Sequence, residues 1–505
     1  MNIVVLGGGT AGWLTALLAK QFYQHHKVIV VESSEIGVLG AGEGTVPHIV
    51  SVLDTLNIPV SELIQHCDAT IKTGIRFTNW NGDDTSYFHP FHGNPGVSLS
   101  SCDLGTYFTN ITQTKEIAMG KQLSSISELL ADQCRVPFSY ANSINSQFDN
   151  PMYRLQNHAH FALHFNARKL ADYLKTVAIG RGIVRVDSKV SEVHNDEDGN
   201  INVLLLEDGR AVPVDFVFDC SGFARLLVGK HYNTVWDSYN NHLPLDTALP
   251  FFIPHDNTNI HPETESIAMK HGWVWKIPVQ DRYGCGYVFD SKYINEAEAL
   301  AEVEEYFGMK LESPKTFKFK AGSYKETYVK NCMAVGLAQS FVEPLEATSI
   351  LISCMNLLEF LQNDGVTTRS EIFRKQFNQH CCERNNEVVE FLYLHYMTRR
   401  NDSEFWKNFR SNTEVPIPVV EKLALWHDCP PGQYTDSRGV FSLSSWLHIT
   451  SNLGLLNPVA FAHRMVELNI DQQLGNRYES YFANIQHVTR GCMRHEEFID
   501  FLKNN

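Results

Sequence analysis

An apolar run, Ile3-Val4-Val5-Leu6, breaks directly into Gly7-x-Gly9-x-x-Gly12, and Glu32 closes a second apolar run, Val28 to Val31. A strand, a glycine turn, a helix over Gly12 to Tyr23 and a second strand in that order make a compact βαβ start, which commits this part of the chain to a parallel sheet. The glycines allow a tight turn and close backbone approach. The N–H groups at the start of the helix suit a pyrophosphate, and a carboxylate in the place of Glu32 accepts from ribose hydroxyls. Glu32 argues against a 2′-phosphate, but the fingerprint alone leaves NAD and FAD both open.

A second stretch, Gly272-Trp273-Val274-Trp275-Lys276-Ile277-Pro278, reads as a strand with Trp273, Trp275 and Ile277 on one face. Two indoles there form a wall. A lone cation, Lys72, stands in Ile71-Lys72-Thr73-Gly74.

At 505 residues and 43% hydrophobic content, the chain can bury a large core in more than one lobe. Its formal charge of -15, with no basic block, repels a phosphate backbone or an anionic membrane surface, so nucleic acid is not an expected partner. Eleven cysteines without a Cys-x-x-Cys pair fit reduced thiols in the cytoplasm. The N-terminus reads as strand one rather than as a signal peptide, and the most apolar later run, Ser349 to Leu361, is too short and too polar to span a bilayer.

Further along, Asn166 is placed to cap a helix with Leu170, Leu174 and Val177 on one face. Val184 to Val193 and Ile201 to Leu206 read as hairpin strands around Asp198-Gly199, and Val214 to Asp219 returns to the sheet. Beyond Pro344 the periodicity is helical, most clearly over Ser349 to Leu361 and Ser370 to Tyr396. His158, His160 and His164 alternate near a strand without nearby Cys or carboxylate ligands, which favours hydrogen-bonded structural roles over a metal site. No metal is expected.

With these pieces in order, the chain resembles the flavin-dependent tryptophan halogenases. The resemblance rests on Gly7-Gly8-Gly9-Thr10-Ala11-Gly12-Trp13, Gly42-Glu43-Gly44-Thr45-Val46-Pro47, Lys72-Thr73-Gly74, Phe77-Thr78-Asn79-Trp80, His89-Pro90-Phe91, Asp219-Cys220-Ser221-Gly222-Phe223, the double-Trp strand and Phe341-Val342-Glu343-Pro344-Leu345-Glu346. It implies an α/β fold: an FAD-binding, Rossmann-like lobe of flavin monooxygenase type over 1–360, and a mostly helical C-terminal lobe over 361–505 that contributes to the substrate pocket. It also implies that FAD, reduced by a separate and transient flavin reductase, reacts with dioxygen so that chloride or bromide becomes hypohalous acid. The oxidant then travels to a lysine beside the aromatic substrate, and the Trp273–Trp275 wall keeps flavin and substrate apart.

By the same resemblance, Lys72 is the catalytic lysine and Glu346 its accompanying carboxylate. Gly7, Gly9, Thr10, Ala11, Gly12, Glu32 and Glu43 are flavin contacts, with Val190 on the adenosine side and Leu337 and Ile350 nearer the other end. Halide is expected against the backbone N–H groups of Thr348 and Ser349. Here the chain departs from its relatives: where they commonly show Phe-x-x-Pro-x-x-Ser-x-Gly, it has Phe341, Pro344, Ala347 and Ser349. The lost hydroxyl and added side chain change room and hydration in a direction that favours bromide.

Phe91 and His92 are candidates to flank a flat ring, and Trp446 occupies the place of a substrate-stacking tryptophan. Relatives that accept free tryptophan hold its charged ends with a Glu and paired Tyr residues upstream of that tryptophan; Phe441, Leu443, Ser444 and Ser445 stand here instead. A buried ammonium without a partner is costly. Indole or an indole derivative is therefore the expected substrate. A flavin-dependent aromatic monooxygenase on the same scaffold is the alternative, separated by halide dependence. Nothing in the sequence separates a monomer from a homodimer.

Overall fold

A computed structural model describes residues 1–37, 43–91, 125–139, 160–255, 258–312, 315–368, 370–428, 439–460, 463 and 486–504. The chain forms two compact units, each assembled from three separate segments. Met1–Ala69, Phe165–Asn240 and Phe319–Asn386 make the first; Thr70–His164, Asn241–Lys318 and Glu387–Asn505 make the second. This differs from the expected single boundary after residue 360. The reason is strand pairing between distant segments, because parallel neighbours require the chain to leave a sheet and return.

In the first unit, the opening βαβ is present as strand Asn2–Leu6, helix Thr10–Phe22 and strand Lys27–Glu32. Its six-stranded sheet runs in the order Tyr328–Val329, Cys332–Ala334, Phe216–Asp219, Asn2–Leu6, Lys27–Glu32, Val184–Asp187, with every pairing parallel except that between Tyr328–Val329 and Cys332–Ala334. Ile3, Val4 and Val5 are all fully buried, as expected of a strand covered on both faces. Val4, Leu6, Ile29 and Val31 pack on the three-stranded antiparallel sheet of Val190–Asn195, Ile201–Leu206 and Ala211–Pro213. Helix Ala167–Gly180 packs against Thr10–Phe22; Asn166 caps it, and Ala178 joins Leu170 and Leu174 in its buried stripe while Val177 is only half-buried. The continuous strand expected from Val184 to Val193 is instead two strands in different sheets. Ser188 turns between them and donates its N–H to the Glu32 carbonyl at 2.8 Å.

The second unit is built on a seven-stranded sheet in the order Phe317–Lys318, Thr247–Pro254, Arg282–Phe289, Gly272–Pro278, Glu263–Met269, Gly74–Thr78, Ser86–Pro90. Val274 faces the cluster of Leu249, Phe251, Ile267, Tyr287 and Phe289, on which helix Glu296–Phe307 packs. Asn295 and Glu298 start that helix with a capping box. Trp273 and Trp275 take the opposite face of their strand, as the period of two requires. A short ladder pairs Thr70–Lys72 with Ala162–Phe165, placing Lys72 opposite Ala162 and Thr70 opposite His164. Helices Glu404–Asn412, Ile417–Asp428, Leu443–Asn452 and His495–Asn504 complete this unit, and among the described residues no helix is long and apolar enough to cross a membrane.

Candidate active site

The first unit supplies a cradle whose shape depends on glycine. A Cβ on Gly7 would stand 2.1 Å from the Cys220 carbonyl oxygen, and one on Gly12 would stand 2.0 Å from the Gly7 carbonyl oxygen. Gly7 also has φ of 124°, a region that favours glycine. A Cβ on Gly8 would meet Glu32 Oε2 at 1.6 Å and Glu32 Cβ at 2.8 Å, so the Glu32 carboxylate closes directly over the glycine turn. Its other oxygen accepts from Arg185 Nε at 2.6 Å. Gly9 caps helix Thr10–Phe22 without a side-chain hydrogen bond, leaving the N–H groups of its first turn for a ligand.

Across the sheet, buried Asp219 accepts from the Ser221 N–H and hydroxyl at 3.1 and 2.6 Å and from the Leu227 and Val228 N–H groups at 2.8 and 3.0 Å. That network fixes the Cys220–Gly222 turn beside Gly7. Gly336, with φ of 68°, brings the following short turn against the same helix, since a Cβ there would lie 2.8 Å from Ala11 Cβ. Leu337, Ile350 and Val190 are all half-buried, and Val190 packs against the core under the parallel sheet. Half-buried Glu43 has its carboxyl pushed up to about 7 by burial.

Helix Thr348–Gln362 starts abruptly. Ala347 holds the left-handed conformation, φ 56° and ψ 37°, and provides no side-chain cap. The first N–H groups of a 15-residue helix are therefore directed at whatever anion lies before them. Among the described residues, neither the buried Thr348 hydroxyl nor the buried Thr10 hydroxyl in the glycine cradle has a hydrogen-bond partner. Glu346, two residues earlier than Thr348, is 2% exposed.

In the second unit, Lys72 is wholly inaccessible to solvent, and its Nζ lies 5.3 Å from the centre of the Phe91 ring. The neighbouring backbone is tightly held. Thr73 donates its N–H and hydroxyl to the Pro262 carbonyl at 2.7 and 2.9 Å, and a Cβ on Gly74 would stand 2.4 Å from the Phe88 ring. His164 shares a face with Lys72 on the short ladder, and its ring nitrogens meet the Thr70 hydroxyl at 3.2 Å and the Thr264 hydroxyl at 2.9 Å. Burial, then the charge of Lys72, holds His164 well below the usual imidazole range, so it is neutral. Trp273 is 0% exposed and Trp275 9%, with ring centres 6.3 Å apart in an edge-to-face arrangement.

A family profile described as tryptophan halogenase matches residues 2–466. Tryptophan 6-halogenase ThaL of Streptomyces albogriseolus is 30% identical over 91% of this chain and 90% of its own, and tryptophan 7-halogenase RebH of Lentzea aerocolonigenes is 31% identical over 84% and 81%. The chain belongs to the tryptophan halogenase family. Among solved structures, BrvH, a flavin-dependent halogenase from Brevundimonas sp. BAL3, matches with a TM-score of 0.83 and 28% identity over 99% of both chains.

For this halogenase, the glycine cradle, the uncapped helix and the two unpartnered buried hydroxyls of Thr10 and Thr348 fit a flavin and a halide. The residues that would hold FAD are Gly7, Gly9, Thr10, Ala11, Gly12 and Glu32, with Leu337 and Ile350 along its length. Val190 is half-buried, with its side chain against the core.

Two of the three expected substrate residues, Phe91 and Trp446, are among the described residues. Phe91 stands beside Lys72, whereas His92 lies outside the described residues. Trp446, 3% exposed, is covered by Lys422, whose Nζ is 3.6 Å from the ring centre, and is met edge-on by Phe391. Stacking a substrate on the face that Lys422 covers requires the ammonium to move away. Phe441 stacks on Phe391 at 3.8 Å, so an apolar cluster occupies this end of the unit.

Sequence reading missed the groups that hold the lysine strand and its neighbours. Arg76 donates to Glu263 at 2.8 and 3.0 Å and to Asp132 at 2.7 Å, and nearby Glu128 is pushed up to about 7 by burial against the pull of Arg76. His164 was visible only as one of three alternating histidines, and His495 carried no local signal.

Proposed function

We propose that the protein is an FAD-dependent halogenase of indole or an indole derivative rather than of free tryptophan, with Lys72 directing the oxidant. Reduced FAD, delivered by a separate flavin reductase, supplies with dioxygen the oxidising power that turns chloride or bromide into hypohalous acid. The backbone N–H groups of Thr348 and Ser349 hold the halide. Lys72, as the ammonium, donates a hydrogen bond to the oxygen of hypohalous acid and makes the halogen more electrophilic. As the carbon–halogen bond forms, the halogen–oxygen bond breaks and the oxygen leaves as water with a proton from Lys72. Glu346 takes the proton lost from the ring and returns one to the lysine.

The observation that carries this reading is the complete burial of Lys72 beside an aromatic ring. An ammonium is costly to bury unless a specific partner uses its charge. A covalent haloamine would have to form from neutral lysine, which at pH 7 costs on the order of 4.6 kcal/mol for an ordinary lysine, a cost that burial reduces and a neighbouring carboxylate such as Glu346 would raise. The preference for indole is supported by Phe441, Phe391 and Lys422 around Trp446, where a cation and apolar rings disfavour an ammonium-bearing substrate.

One incubation tests reaction and substrate together: FAD, a flavin reductase, NADH, equal chloride and bromide, and a panel of indole, indole derivatives and tryptophan, read by isotope pattern in a mass spectrum. Halogenated indole with bromide in excess is expected. Halogenated tryptophan with no halogenated indole would overturn the substrate assignment, and hydroxylated product without halide dependence would overturn the reaction. Lys72→Arg retains charge and donors and is expected to keep measurable turnover, whereas a trapped N-halo adduct on wild-type Lys72 would establish the covalent route.

A further inference from the structure

Strand Thr70–Lys72 is paired on one edge only among the described residues of its own unit, with Ala162–Phe165. Its other edge turns the N–H groups of Ile71 and Thr73 outward, one on each side of Lys72. Thr73 gives its N–H to the Pro262 carbonyl. The Ile71 N–H goes to a side chain: His495 Nε2 accepts it at 2.9 Å. The second nitrogen of the same ring, Nδ1, lies 3.0 Å from the Ile260 carbonyl oxygen. A carbonyl only accepts, so Nδ1 carries the proton and Nε2 the lone pair. The imidazole thus spans the gap between Ile71 and Ile260 where a strand would otherwise pair, and with Pro262 it secures the backbone on both sides of Lys72.

His495 is itself firmly set. It is fully buried, it opens helix His495–Asn504, and its own N–H donates to the Cys134 carbonyl at 2.8 Å. Met493 and Arg494 run alongside residues 134–138: the Val136 N–H reaches the Met493 carbonyl at 3.0 Å, the Met493 N–H reaches the Phe138 carbonyl at 2.8 Å, and Arg494 bridges to Arg135. His495 also lies beyond the stretch matched by the family profile, which ends at residue 466.

We infer that His495 is a positioning residue for the halogenation step: its neutral imidazole sets the backbone register of Ile71 and thereby the placement of the Lys72 ammonium. The inference rests on the assignment of Lys72 as the oxidant-directing group. A shift of about 1 Å in such a group costs on the order of 100-fold in rate, so the position of this one strand matters more than its share of the fold.

The experiment compares wild type with His495→Leu, His495→Gln, His495→Asn and Lys72→Ala. Four quantities are read: kcat and KM for indole halogenation, free hypohalous acid captured by a small-molecule trap, FAD affinity and melting temperature. Gln carries its terminal oxygen to the place of Nε2 and can still accept from Ile71, whereas the shorter Asn reaches only the place of Nδ1. The expected result is that His495→Leu and His495→Asn lose about 10- to 100-fold in kcat with KM little changed. Their FAD affinity stays at the wild-type value, and more of the oxidant escapes into the trap. Gln restores most of the coupling between oxidant made and product formed. Wild-type kcat and coupling in folded His495→Leu, or equal behaviour of Gln and Asn, would overturn the inference. If leucine does not fold, the Gln-against-Asn comparison decides alone. Lys72→Ala separates the two levels of the argument: halogenation that survives it removes the premise, while halogenation lost in Lys72→Ala but untouched in the His495 variants removes only the role of His495.

Discussion

Trp275 sits over Gly286 on the adjacent strand, so closely that a Cβ there would stand 2.1 Å from both Cζ2 and Cη2 of the indole. The two residues are paired in the ladder between Gly272–Pro278 and Arg282–Phe289. The wall of indoles thus has its position set by an absence, a side chain missing from the neighbouring strand. Gly286→Ala is expected to push Trp275 out of its place and to destabilise the fold by about 1–3 kcal/mol, the usual cost of overpacking. Thermal unfolding and the near-ultraviolet circular dichroism of the tryptophans check this; an unchanged spectrum and melting temperature would show that the indole has room to move.

Gly8 stands under the Glu32 carboxylate in the same way. Gly8→Ala is expected to displace Glu32 and weaken FAD binding by about tenfold or more, equivalent to roughly 1.4 kcal/mol. A fluorescence titration with FAD measures it. Because the clash includes Glu32 Cβ as well as the carboxylate, rotation of the acid alone does not relieve it.

Ala347 is held in a left-handed conformation that suits glycine better than alanine. Ala347→Gly is expected to stabilise the protein by about 0.5–1 kcal/mol, the relief of backbone strain exceeding the added freedom of the unfolded chain. A melting temperature below wild type would show that the Ala347 methyl group contributes packing that outweighs the strain.

Burial pushes His495 down to about 3, and His164 is also held well below its ordinary value. Below about pH 6.5 the unfolded chain takes up protons on these rings that the folded chain refuses, so stability falls as pH drops from about 6.5 toward 3. Glu43 and Glu128, both pushed up to about 7, act with the opposite sign over part of that range because the folded state holds their protons more tightly. The clean measure is a difference between two proteins. Between pH 7 and pH 5, wild type is expected to lose about 2 kcal/mol more than His495→Gln, which cannot titrate. Denaturant unfolding at the two pH values tests this, and equal losses would show that the imidazole is protonated in the fold.

The opening βαβ was legible because each of its parts is local. Four apolar residues, a glycine turn and a helix at fixed spacing can hardly fold otherwise, and Asn2–Leu6, Thr10–Phe22 and Lys27–Glu32 follow that pattern. The Trp273–Trp275 face was legible for the same reason, since a strand's period of two needs no partner to be read. The strand expected from Val184 to Val193 failed at Ser188, where two sheets compete for one stretch of chain and the bond from Ser188 to Glu32, 156 positions earlier, settles where the first strand ends. Trp446 was legible only as an aromatic residue, because the covering of its ring by Lys422 and Phe391 depends on three helices meeting.

By itself, the sequence determined the glycine cradle, the buried-strand pattern and the family, all of which are written in residues a few positions apart. Only the tertiary structure decided that the chain interleaves its segments into two units, that Gly286 makes space for Trp275, and that His495 holds the strand of Lys72. The physical reason is that a backbone N–H on a strand edge must find an acceptor, yet its own sequence does not say which of the hundreds of distant groups will supply one. For Ile71 that acceptor lies 424 residues away, and folding alone brings it there.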